Sequence, residues 1–235
     1  MKERKEYLMT VQNWVERLTQ IVNPQNIKFN EPLHLYTMTK LGGNADVFIT
    51  PSTEEEAIEV IRFAANQNIS ILMLGNGSNM VVRDGGVRGI VLHFNLLNNI
   101  SINDTTIVAQ AGALIKDVSK LAAANSLTGF EFACGIPGSI GGAMAMNAGA
   151  YGGEIKDIIV ECTIVTRDGD VRILSKEELG LGYRKSIIAE KAVVLIRPEF
   201  LCYTHWIGHH LPSSLKNQRN RLAGCKTFAI YPELS

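Results

Sequence analysis

Residues Cys134–Glu154, CGIPGSIGGAMAMNAGAYGGE, decide how this chain is read. Seven of the twenty-one are Gly, with Pro137 and Ser139 among them. Glycine brings no side chain to a core and loses the most backbone freedom on folding. Kept inside an apolar domain, such a run serves the close approach of backbone N–H groups to something bulky and anionic. A solvated linker would have no need of Ile136, Ile140, Met144, Met146 and Tyr151. A phosphate-bearing ligand is therefore expected here ahead of a linker.

A second glycine loop lies about sixty residues upstream, where the apolar strand Ile71–Leu74 runs into Gly75-Asn76-Gly77-Ser78-Asn79. Its glycines permit positive φ, and Ser78 and Asn79 add donors. It is not a dinucleotide fingerprint, since Met80 stands where the third Gly belongs, and neither glycine run carries the Gly-Lys-Ser/Thr of a Walker loop. Alone, it could equally be an ordinary tight connection. Two such loops suggest an elongated ligand with a pyrophosphate between them.

Composition bounds the rest. The chain has 235 residues, 46% of them hydrophobic, with 23 basic side chains balancing 23 acidic ones. A net charge of zero gives no global pull toward nucleic acid or an anionic membrane, so an anion site must be local. No apolar run approaches the ~18 residues of a membrane span, and the N-terminus lacks a signal-peptide core. The four Cys (134, 162, 202, 225) show no CxxC spacing, which fits free thiols in a reducing cytoplasm. The expectation is a soluble cytoplasmic protein.

Along the chain, Leu8, Val11, Trp14, Val15, Leu18 and Ile21 recur at helical steps. A Gly turn precedes a strand at 47–50, and Thr53-x-x-Glu56 opens a helix whose buried stripe is Ala57, Ile58, Val60, Ile61, Ala64 and Ala65. Strands are predicted at 71–74, 80–82 and 90–92, giving a strand–helix–strand order and a partly parallel sheet. Asn, Ser and Asp accumulate over 95–103, where a subdomain boundary is placed. A strand at 107–111 and a helix at 115–125 follow. A hairpin pairs 158–166 with 171–174, Ser175-x-x-Glu178 repeats the capping pattern, and 192–196 reads as a last strand. Beyond Arg197 neither period is sustained.

Tyr183-Arg184 follows a Gly-x-Gly. An Arg on a short rigid segment can grip a carboxylate or stabilise an oxyanion, although most Arg residues are solvated surface charges. Tyr36, Thr37 and Lys40 before Gly42-Gly43 could line a site. Cys202-x-x-His205-x-x-x-His209-His210 has the look of metal ligands but lacks a second Cys pair, so no metal is expected. His34 and His93 read as structural or surface residues.

Taken together, five motifs resemble the MurB-type UDP-N-acetylenolpyruvoylglucosamine reductase family, in its shorter Gram-positive class. They are Tyr36-Thr-Met-Thr-Lys-Leu-Gly-Gly-Asn-Ala45, Leu74-Gly-Asn-Gly-Ser-Asn-Met80, Gly135-Ile-Pro-Gly-Ser-Ile-Gly-Gly142, Asn147-Ala-Gly-Ala-Tyr-Gly152 and Tyr183-Arg-Lys-Ser186. The resemblance covers about residues 1–196. It implies an α+β fold of two subdomains, 1–97 and 98–196, clasping FAD in the manner of the vanillyl-alcohol-oxidase (PCMH) type.

The cofactor-binding residues it implies are Gly75, Asn76, Gly77, Ser78, Asn79 and Met80 in one loop, and Gly135, Pro137, Gly138, Ser139, Gly141 and Gly142 in the other. Asn147, Gly149 and Tyr151 would lie along the flavin. Tyr183 and Arg184 would bind substrate, with Arg184 catalytic. It further implies a hydride relay from NADPH through FAD to the enolpyruvyl group of a UDP-sugar, in peptidoglycan precursor synthesis. The family's Ser-Cys-Gly-Ser-type motif and its C-terminal Glu find no counterpart in residues 197–235. That segment is set apart as an atypical tail, frameshifted or disordered, and a non-catalytic FAD-binding fragment is the alternative reading.

Overall fold

A computed structural model describes residues 11–191 and 194–204. They divide into two units, one of residues up to Leu97 with Val165–Val171, the other of Asn98–Ile164 with the residues from Arg172 on.

The first unit begins with a helix, α1 (residues 11–18), which buries Val11 and Leu18; Leu8 of the expected stripe lies outside the described residues. Four strands follow: β1 (Ile27–Pro32), β2 (Asn44–Ile49), β3 (Ile71–Leu74) and β4 (Val87–His93). They form one sheet in the order β1-β2-β4-β3, with β1 antiparallel to β2 and both β2 and β3 parallel to β4. A parallel pair needs a crossover, and α2 (Glu54–Asn66) supplies it between β2 and β3. Thr53 Oγ1 accepts the Glu56 N–H at 3.1 Å, and the Glu56 carboxylate reaches back to the N–H of Ser52 rather than that of Thr53. Three glutamates in the first turn suit the positive end of the helix dipole. Ala57, Val60, Ile61 and Ala64 are buried.

The predicted strand at Met80–Val82 is absent. This stretch is extended but joins no ladder, and its side chains go opposite ways. Val82 enters a core cluster with Leu33, Ala45, Phe48, Leu74 and Val91, whereas Val81 is 73% exposed. The backbone is held instead by the Gly43 N–H, which donates to Arg83 O at 3.0 Å. This close approach explains the Gly pair: a Cβ on Gly43 would lie 2.0 Å from Asp84 O.

In the second unit, β5 (Ile100–Asn103) and β6 (Thr106–Ala109) form a hairpin. β5 went unread because its two half-buried positions, Ile100 and Ile102, stand among Ser and Asn. α3 (Ile115–Ala124) buries Ile115, Val118 and Ala122, and Ser119 Oγ donates to Phe130 O at 2.9 Å. β7 (Leu127–Thr128), the short α4 (Ile140–Ala145), β8 (Gly149–Ala150) and β9 (Gly153–Glu154) carry the chain through the glycine-rich run. β10 (Ile159–Val165), β11 (Val171–Ser175), α5 (Ile187–Glu190), β12 (Val194–Leu201) and β13 (Tyr203–Thr204) complete it. The main sheet has the order β11-β10-β12-β6-β5, while β8 pairs with β9 and β13 with β7. β12 continues past Ile196, where the reading from sequence ended the strand. Ile196, Pro198 and Phe200 point inward in alternation, a period that Pro198 hid. Phe200 meets Phe130 edge-on at 4.9 Å.

Gly43→Ala is expected to lower stability by about 3 kcal/mol, the upper end for forced overpacking. Gly85→Ala, whose added Cβ would meet nothing within 4 Å, is expected to stay within ~0.5 kcal/mol of the parent. Urea denaturation midpoints of the two variants check both values.

Candidate functional site

In the first unit the loop Gly75–Asn79 leaves the C-terminal end of β3 and is shaped by what lies beneath it. Gly77 has φ +60, and a Cβ there would sit 2.0 Å from Tyr36 O. The Met38 N–H donates to Gly77 O at 3.0 Å, pinning the loop to the segment after Tyr36. Met80 packs half-buried against the core cluster. Among the described residues, none of the backbone bonds that fasten this loop uses the N–H of Ser78 or Asn79.

His93 ends β4 beside this loop, with its ring centroid 5.3 Å from those of Tyr36 and Phe48. Burial pushes its pKa down to about 4, against a hydrogen bond with the Gly75 backbone that favours the charged form and with help from the Lys28 charge. A lone His at the end of an apolar strand gives no sequence signal for this role. Nearby, Tyr36 Oη donates to Glu31 while Lys28 Nζ donates to both, at 2.8 Å to Tyr36 and 2.9 Å to Glu31. Burial, and then the bond to Glu31, raises the Tyr36 pKa. Burial pushes the Glu31 carboxyl upward, but the bonds from Tyr36 and Lys28 outweigh it and hold the group below its ordinary value. Thr37 is buried and donates to Leu41 O at 2.9 Å. Lys40 has a positive φ of 56.

In the second unit the glycine-rich run is less open than its composition suggests. Ile140 N–H donates to Ala113 O and Gly141 N–H to Ala111 O, both at 2.8 Å. Ser139 caps α4 by accepting the Gly142 N–H at 3.3 Å. Those three amides are already satisfied by protein. Gly141 also lies close to its neighbour, since a Cβ would stand 3.1 Å from Ala111 O. Gly135 differs: a Cβ there would meet nothing within 4 Å, so packing does not explain its lack of a side chain. Gly138 O accepts from the Ile115 N–H at 3.0 Å, and Pro137 adjoins it.

Asn147, expected along a flavin, has φ 42 and is only 4% exposed. Its Oδ1 accepts the Lys156 N–H at 2.9 Å, and its Nδ2 donates to Glu154 Oε2 and, at 3.1 Å, to Gly182 O. Lys156 Nζ pairs with the other Glu154 oxygen. Gly149 and Tyr151 belong to the β8–β9 hairpin, with Tyr151 half-exposed at its tip and a φ of 54. Tyr183 and Arg184 occupy the tip of a turn closed by reciprocal backbone bonds of 3.0 and 3.1 Å between Gly182 and Lys185. Tyr183 is 91% exposed, and Arg184 is exposed with φ 51. Ser186 Oγ donates to Ala145 O at 2.7 Å and accepts the Ala189 N–H, seating this segment on the end of α4. The structure thus brings Asn147, Glu154 and the Arg184 turn together. Sequence reasoning gave no role to Glu154, Lys156 or Ser186: the first two form a polar cluster around Asn147 that follows no helical or strand period, and the acceptor of Ser186 lies 41 residues away.

Cys202 is buried, and burial raises its thiol to about 12. Its companions in the His-rich spacing, His205, His209 and His210, lie outside the described residues. No described helix is long and apolar enough to cross a membrane.

The Ser78 and Asn79 amides, which none of the described backbone bonds uses, fit a diphosphate-bearing group. The model of the FAD binding domain family matches residues 45–175, and the chain belongs to that family. Its cofactor is FAD, and its fold is the vanillyl-alcohol-oxidase type. Two solved structures at 18% and 11% identity share that fold, alkyldihydroxyacetonephosphate synthase (TM-score 0.64, covering 82% of this chain and 44% of that one) and Phl p 4.0202, a glucose dehydrogenase (TM-score 0.62, 82% and 44%).

Within this class the chain is similar to UDP-N-acetylenolpyruvoylglucosamine reductases. The Streptococcus pneumoniae (strain Hungary19A-6) enzyme is 48% identical over 185 residues, 79% of this chain and 62% of its own length. The Listeria monocytogenes enzyme is 52% identical over 174 residues, 74% and 58%. The Thermus caldophilus structure has a TM-score of 0.65 at 29% identity, covering 83% of this chain and 66% of that one. The chain spans about three fifths of the length of these curated relatives.

Two outcomes follow from this geometry. His93 has its folded pKa depressed, so its contribution to stability is present above pH ~6.5 and is lost as pH falls toward 4. The wild type is expected to lose about 3 kcal/mol more than His93→Gln across that window, as read by urea titrations at several pH values. Gly135→Ala is expected to leave stability unchanged yet weaken FAD binding about tenfold or more, as measured by flavin fluorescence titration.

Proposed function

We propose that this chain is the FAD-binding part of a UDP-N-acetylenolpyruvoylglucosamine reductase, acting in the cytoplasm with NADPH as reductant and UDP-GlcNAc-enolpyruvate as substrate. The single observation that carries the reading is the Arg184 turn: an exposed arginine on a turn whose Gly182 carbonyl is held by the buried Asn147 and whose far side is seated by the buried Ser186. Among the described residues no carboxylate pairs with it.

In this reading Gly75–Met80, with Asn76, serves the FAD diphosphate through the Ser78 and Asn79 amides. Gly135, Pro137, Gly138, Ser139, Gly141 and Gly142 are the further cofactor-binding residues of this reading, Gly141 and Gly142 through shape rather than through their committed amides. Gly149 and Tyr151 adjoin the flavin, and Asn147 supports that region through its protein partners. When bound, FAD supplies hydride transfer from the nicotinamide to the enolpyruvyl double bond. Negative charge then builds toward the substrate carboxylate. A guanidinium is planar, permanently charged and able to hold a carboxylate with two bonds, so Arg184 stabilises that charge where it develops. Tyr183 flanks the same carboxylate.

A second reading is a flavin-binding chain without turnover; no Ser-Cys-Gly-Ser-type motif occurs in the 235 residues of this sequence. Reoxidation of the NADPH-reduced, FAD-loaded chain by UDP-GlcNAc-enolpyruvate separates the two. A reduced flavin that stays reduced supports the second reading. Under the first, Arg184→Ala lowers the reoxidation rate by about 10²–10³-fold with FAD binding unchanged. Arg184→Lys recovers only part of it, since an ammonium lacks the fork. A normal rate in Arg184→Ala would remove Arg184 from the chemistry.

A further inference from the structure

The side chain of Asn147 is oriented by its neighbours. A backbone N–H can only donate, so the 2.9 Å bond from Lys156 N fixes Oδ1 as the acceptor. That leaves Nδ2 facing two acceptors, the Glu154 carboxylate and Gly182 O. Both of its protons are used, and its burial leaves little of it to water. Its φ of 42 lies in the left-handed region that Asn and Asp tolerate better than other side chains. The carbonyl it grips also accepts the Lys185 N–H that closes the turn. Glu154 is in turn anchored by Lys156 Nζ and by its own N–H, which donates to Asp157 at 3.0 Å. The chain of contacts Lys156–Glu154–Asn147–Gly182 therefore ends one residue before Tyr183 and two before Arg184.

We propose that Asn147 is a positioning residue for Arg184: it holds the Gly182–Lys185 turn through Gly182 O, with Glu154 and Lys156 fixing its own orientation, and makes no side-chain contact with FAD. The proposal rests on the reading of Arg184 as the cation that meets substrate. Without the Nδ2 donor, Gly182 O loses its tie to the β8–β9 hairpin, and the guanidinium samples many positions. The cost falls on orientation, because a charge held off its productive place stabilises little.

Asn147→Asp is the informative variant. It keeps the left-handed backbone and the acceptor for Lys156 N–H but turns an oxygen toward Gly182 O. Hydrogen exchange is expected to speed up at the Lys185 amide by about tenfold or more, with tryptic cleavage after Arg184 rising in parallel. Exchange at Cys162 and Ile164 in β10 should stay at wild-type rates. FAD affinity and the flavin absorption spectrum should also be unchanged. Asn147→Asp/Glu154→Gln removes the repulsion between two carboxylates without restoring a donor to Gly182 O, so the Lys185 amide should remain fast.

Wild-type exchange at Lys185 in the single variant overturns the proposal. So does equal acceleration in β10, recovery in the double variant, or a large loss of FAD affinity. These readouts need no turnover. If Arg184→Ala proves as active as the wild type, the functional reading fails while the exchange result stands.

Discussion

Where a carbonyl oxygen stands about 2 Å from the place a Cβ would occupy, only glycine fits, and the first unit is built around four such points. Gly43 faces Asp84 O, Gly77 faces Tyr36 O, Gly86 faces Asn44 O and Gly89 faces Ser70 O. Each lets two backbone segments approach without an intervening side chain. Together they draw the segment after Tyr36, the start of β2 and the turn before β4 against one another. The Gly75–Asn79 loop takes its form from this layer: Gly77 rests on Tyr36 O and is tied to Met38, with His93 beside it. A loop shaped this way can present amides outward with little reorganisation on binding, which is the condition for tight anion recognition by a neutral protein.

The second unit uses polar side chains to the same end. Ser139, Asn147 and Ser186 are each buried, and each is bonded to backbone. A buried polar group left unpaired costs about 1–3 kcal/mol, so these residues specify one arrangement of the loops they join. The exposed tips, Tyr151 and Tyr183-Arg184, stand on that scaffold with positive φ at Tyr151 and Arg184. Rigid support beneath and exposed chemistry above is the division expected where a side chain must meet a ligand.

Much of this was legible in the residues themselves. Thr53 and Glu56 announced α2, the run Ile71–Leu74 announced β3, and Asp168-Gly169 announced the hairpin between β10 and β11, because each signal is local. β5 and the end of β12 were hidden because Ser, Asn and Pro interrupt their alternation. Met80–Val82 misled for the opposite reason: an apolar triplet mimics a strand when only one of its side chains is buried in the core. The Gly182 carbonyl that Asn147 holds and the Ala145 carbonyl that Ser186 holds lie 35 and 41 residues away, beyond any local period. Glycine count also overstated the free amides of the 135–142 run, since those of Ile136, Ile140, Gly141 and Gly142 bond to protein.

The central proposal is that FAD is met by the unspent amides of the glycine loops, Ser78 and Asn79 in the first unit above all. Titrating FAD into the isotopically labelled chain and following backbone amide shifts tests it most directly. The account predicts the largest shifts at Ser78 and Asn79 and at Gly135, Gly138 and Ser139, with Ile140 and Gly141 moving little. Saturable FAD binding whose shifts cluster elsewhere, leaving both loops unmoved, would contradict it.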